Sequence, residues 1–77
     1  MSFSIRPRVL FPEDLAYAGA LEAWRDAEAN VRARWDQFLA ADREARRFAF
    51  AAYVAALDLE AAAAGDLAAL VPVDLAA

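Results

Sequence analysis

Three arginines crowd one short stretch, Arg43, Arg46 and Arg47 in DREARRF, while twelve acidic residues are spread along the chain. A guanidinium group grips phosphate or carboxylate in a bidentate manner, so the cluster is a candidate polar docking site for an acidic protein or for nucleic acid. Its setting weakens the second option. The net charge is −4 with a pI near 4.5, which repels phosphate backbones and anionic membrane surfaces. Asp42 and Glu44 also sit among the arginines, which fall in the first turns of a helix, where the dipole disfavours cations. A nucleic-acid-binding regulator using this cluster is therefore an alternative and not the leading expectation.

Two carboxylates can act as general acid and base when their environments separate their pKa values. Here most acids stand at helix-neighbour spacing from an arginine: Glu22 with Arg25, Glu28 with Arg32, Asp42 with Arg46. Surface pairing is the expected role. The sequence has no histidine, cysteine, lysine or threonine, and its only serines, Ser2 and Ser4, have no base nearby in sequence. That removes the usual activated nucleophiles, the usual zinc ligands and any disulfide. Neither a Glu-x-x-His di-metal motif nor a glycine-rich phosphate loop is present. The expectation is a non-enzymatic chain with no catalytic residue, no cofactor and no metal.

Glu28 stands apart from the other acids. It falls inside a stripe of Tyr17, Leu21, Trp24, Val31 and Trp35, where an unpaired charge is costly. It either reaches water at the edge of the stripe or meets an arginine across an interface, fixing register as a buried polar residue does in a coiled coil.

The elements that position these groups are all-α. Residues 1–11 alternate, with Phe3, Ile5, Val9 and Phe11 apolar against Ser2, Ser4, Arg6 and Arg8, and Pro7 forbids a central strand. They read as an extended arm that packs over its own helices or exchanges into a neighbour. A helix starts at Pro12, with Glu13 and Asp14 at the positive end of its dipole. Tyr17, Leu21, Trp24, Val31, Trp35 and Phe38 recur at steps of three and four, which makes an amphipathic helix over about 12–41.

Continuing the heptads of Tyr17 and Leu21 leads to Ala45, Ala52 and Leu59 and to Asp42, Ala49 and Ala56. The large residues Phe50, Val54 and Leu57 are not among them. The stripe thus changes phase near Asp42, itself an acceptable N-cap, which predicts a bend at 40–42 without glycine or proline and an antiparallel helical hairpin. The rival is one helix of some fifty residues, about 75 Å long.

The second helix, about 43–64, is apolar all round. Phe50, Val54, Leu57 and Ala61 share one face and Phe48 and Leu59 the opposite one. One partner helix covers only one of these, so a second subunit, a foreign protein or the arm must meet the other. Gly65 suits the position after a helix C-terminus, and Asp66 caps a short C-terminal turn before Pro72. One small domain over 1–77 results, with arm 1–11, hairpin 12–64 and turn and tail 65–77.

Hydrophobic residues make up 62% of the chain, about half of them alanine, a strong helix former that buries little area. A chain of 77 residues with no disulfide or metal to staple it is marginal alone. A homodimer forming a four-helix bundle is the expected remedy, with Trp24, Glu28, Trp35, Phe48 and Leu59 at the interface. The function expected is a protein–protein interaction module, an assembly, adaptor or regulatory protein. A small accessory subunit of a larger enzyme is a further alternative.

Arginine in place of lysine, with abundant alanine, points to a high-GC bacterial or phage genome. Charges interrupt every window of bilayer length, so a cytoplasmic protein without membrane contact is expected. The ending Leu75, Ala76, Ala77 resembles the Leu-Ala-Ala terminus of the bacterial ribosome-rescue degradation tag, which implies recognition by an unfoldase.

Overall fold

A computed structural model describes residues 12–71; the arm 1–11 and the tail from 72 onward lie outside the described residues. Two helices pack against each other, α1 over Pro12–Ala40 and α2 over Arg46–Ala69, with no strand among the described residues. They run antiparallel. Trp24 meets Glu60, Trp35 meets Tyr53 and Phe38 meets Phe50, so residue numbers rise along one helix as they fall along the other.

α1 begins where the missing N–H of Pro12 costs nothing, and Glu13 and Asp14 lie in its first turn. It closes with a tight bond from Ala41 N to Phe38 O at 3.2 Å. Asp42 is not the N-cap of α2: that position is Ala45, which makes no side-chain cap bond, and Asp42 Oδ1 instead accepts from Ala45 N at 2.9 Å, holding the turn before the helix. The turn 43–45 follows, and Ala49 N to Ala45 O at 2.9 Å starts α2. The chain reverses with no positive φ at any described residue, which is why it needs no glycine. Arg43 and Glu44 belong to this turn, so α2 starts three residues later than the spacing implies.

At its other end α2 corrects the sequence-based boundary. It passes through Gly65 and Asp66 to Ala69, and Leu70 and Val71 close it with bonds to Leu67 O and Ala68 O. Gly65 has an ordinary helical φ and does not form the expected C-terminal stop. The roughly 1 kcal/mol that glycine costs in a helix is outweighed by the alanines around it and by Leu67, which carries the packed face one turn further.

The packed seam lies on unexpected residues. On α2 the half-buried or buried positions are led by Ala49, Ala56 and Ala63, seven apart, with Tyr53, Glu60 and Leu67 beside them. Ala56, 1% exposed, is the one buried residue among those described. Against this alanine row α1 sets Trp24, Val31 and Phe38, also seven apart and half-buried. Large side chains of α1 therefore lie over small ones of α2. The stripes Phe50, Val54, Leu57 and Phe48, Leu59 are neither the seam nor buried; they flank it on its two sides.

Candidate interaction face

Both helices are right-handed and they run in opposite directions. Residues turned in the same rotational sense from the seam therefore fall on the same broad side of the hairpin. Counted at 100° per residue, Tyr17, Trp35 and Leu39 of α1 join Phe50, Val54 and Leu57 of α2 on one side. All six are large apolar side chains that remain exposed, by 37% to 63%. Phe48 and Leu59, 69% and 61% exposed, lie on the other side.

The six-residue side is organised by aromatic contacts. Trp35 stands 5.0 Å from Tyr53 and 5.3 Å from Phe38 between ring centroids, and Phe50 stands 5.5 Å from Phe38 and 6.3 Å from Tyr53. Tilted rings at these separations add attraction beyond the area they bury, which fixes the turn end of the hairpin. Beside the cluster is an open depression of about 370 Å³ lined by Val31, Arg32, Trp35, Asp36 and Tyr53. A smaller one, about 180 Å³, lies between Phe38, Leu39 and Arg46. The aromatic floor of the larger depression, with one arginine and one aspartate at the rim, suits an amphipathic side chain, apolar at its base and polar at its tip.

Trp24, expected at an intermolecular seam, is half-buried within the hairpin. Its Nε1 donates to Glu60 Oε2 at 2.7 Å. Glu60 was not singled out by sequence; a lone carboxylate on the alanine row of α2, four residues after Ala56, is the signal that marks it. Glu28 pairs along α1 with Arg32 at 3.5 Å, and its side chain keeps 40% of its exposure. It lies on the aromatic side of the hairpin, at the edge of the seam.

Arg43, Arg46 and Arg47 are all exposed near the turn. Arg46 and Arg47 diverge. Arg46 faces the small depression, while the guanidinium of Arg47 lies 5.6 Å from the ring centroid of Phe48, on the other side. Arg34 donates to Gln37 Oε1 at 3.0 Å. No group of three or more metal-ligating side chains occurs among the described residues.

By length and composition α2 is apolar enough to cross a bilayer. Asp58 and Glu60 lie at its middle, however, and α1, packed along it, carries charge from end to end. The Leu75-Ala76-Ala77 ending lies outside the described residues. No family model, curated protein or solved structure matches the chain.

Proposed function

We propose that this chain is a non-enzymatic protein-association module that pairs with a second copy to form a four-helix bundle. The observation that carries this is the imbalance between buried and exposed apolar residues. Only Ala56 is buried among the described residues, while ten large hydrophobic side chains stay exposed and six of them share one side. Monomeric soluble proteins rarely leave so continuous an apolar surface open, and the two-helix layer has no other core among the described residues. Self-association gives this side the partner layer it lacks.

The test is the mass of the purified chain by light scattering over a dilution series. A dimer gives twice the 8.4 kDa of one chain, and a folded monomer at micromolar concentration overturns the proposal.

A second function rests on α2 as a membrane segment, supported by its length and apolar composition. It is the weaker one. A carboxylate such as Asp58 at the centre of a spanning helix costs about 2.5–3.5 kcal/mol, and alanine gives little in return. Partition of the chain into carbonate-washed vesicles would favour it over the soluble bundle.

A further inference from the structure

We infer that the second copy lies antiparallel on the aromatic side, α1 over α1 and α2 over α2, with Tyr17 of each copy in the Trp35 depression of the other and Arg25 against Glu28. This rests on the proposed self-association and specifies its geometry. A face-to-face dimer has its two-fold axis in the interface plane, either across the helices or along them. Size and charge on this side select the axis across them.

The midpoint of α1, Pro12–Ala40, is Asp26, and that of α2, Arg46–Ala69, lies between Leu57 and Asp58. The hydrogen bond between Trp24 and Glu60 joins the helices within about a turn of both midpoints, so one axis serves both. Reversal about it exchanges Tyr17 with Trp35, each nine residues from the α1 midpoint. Tyr17 is the large exposed aromatic at the open end, and the depression of about 370 Å³ beside Trp35 is the apolar hole at the turn end. A tyrosine ring suits its aromatic floor, and the hydroxyl suits a rim carrying Arg32 and Asp36.

The same reversal brings Arg25 within about one residue of Glu28 of the second copy, twice by symmetry. Both lie on the aromatic side by their 100° positions. On α2 it sets Phe50 over Gly65 and Val54 over Ala61, large over small. That accounts for a glycine inside the last turns of α2 at which an added Cβ meets nothing within 4 Å in the hairpin itself. The axis along the helices does the reverse. It stacks Phe50 on Trp35 at one end and lays Arg25 and Glu28 over apolar Leu57.

Because the charge pair is reciprocal, it can be tested between chains. Glu28→Arg and Arg25→Glu are each made in the full chain, with helicity checked by circular dichroism. Each variant alone is expected to self-associate at least about tenfold more weakly, from like-charge contact across the axis. An equimolar mixture is expected to recover a dimer, as each arginine then meets a glutamate. Wild-type dimers with unaltered variants, or no recovery on mixing, would overturn this arrangement while leaving self-association standing. A monomeric wild type would overturn both. A second readout uses a spin label at Leu39→Cys in a chain otherwise free of cysteine. The antiparallel arrangement places the two labels about 40 Å apart, and a separation under about 20 Å contradicts it.

Discussion

The indole of Trp24 and the carboxylate of Glu60 meet at 2.7 Å across the two helices, thirty-six residues apart in sequence. The bond is part-buried and joins a neutral donor to a charged acceptor, the kind of hydrogen bond that contributes about 1.5–3 kcal/mol. It also sets register. Away from the aromatic contacts at the turn end the seam is an alanine row that gives little register of its own, whereas the indole N–H has one partner.

Replacing Trp24 by phenylalanine keeps an aromatic ring but removes the donor. The expected loss is about 1–3 kcal/mol of folding stability, read from urea unfolding followed by circular dichroism. Glu60→Gln keeps an acceptor for the indole and is expected to cost less than Trp24→Phe. A Glu60→Ala variant as stable as wild type would show that the packing of the ring, not its N–H, holds the register.

Ala56 marks the closest approach of the helices. Ala56→Leu is expected to destabilise by about 1–3 kcal/mol through overpacking, whereas Ala51→Leu, on the outward side of α2, stays within about 0.5 kcal/mol. Parallel denaturation curves for the two variants check this.

The turn depends on Asp42. Removing its Oδ1 in Asp42→Ala is expected to cost about 0.5–2 kcal/mol, with Asp42→Asn retaining most of the stability. An Asp42→Ala variant as stable as wild type would mean that the bond to Ala45 N is replaceable by water.

These variants also mark what the sequence made legible. The start at Pro12 and the bend near 40–42 are readable because each rests on local chemistry, a missing donor and a phase change; Asp42 bonds the turn amide of Ala45, while the N-cap of α2 is Ala45 itself. So was the pairing of Glu28 with Arg32, one turn apart. The seam is not readable from side-chain size, the usual mark of a core. Phe50, Val54 and Leu57 are large, yet Ala49, Ala56 and Ala63 face α1, since small residues let Trp24, Val31 and Phe38 come close. Glu60 escaped notice for the same reason, its role depending on the register between helices. The α2 terminus was misplaced because Gly65 carries a strong local stop signal that the packing of Leu67 overrides.

Gly65 gives a further prediction. Its backbone is helical and a Cβ there meets nothing within the hairpin, so Gly65→Ala is expected to raise the stability of the dilute monomer by about 0.5–1 kcal/mol. Thermal melts at the lowest workable concentration check the sign.

The proposed dimer pairs through the side carrying Trp35, Phe50 and Val54. Its most direct test compares the masses of wild type, Val54→Asp and Leu59→Asp by light scattering at one concentration. Val54 lies on the aromatic side and Leu59, the more exposed of the two, on the other. Pairing through the aromatic side predicts 8.4 kDa for Val54→Asp and twice that for wild type and Leu59→Asp. A Leu59→Asp monomer beside a Val54→Asp dimer would contradict it and move the interface to the opposite side.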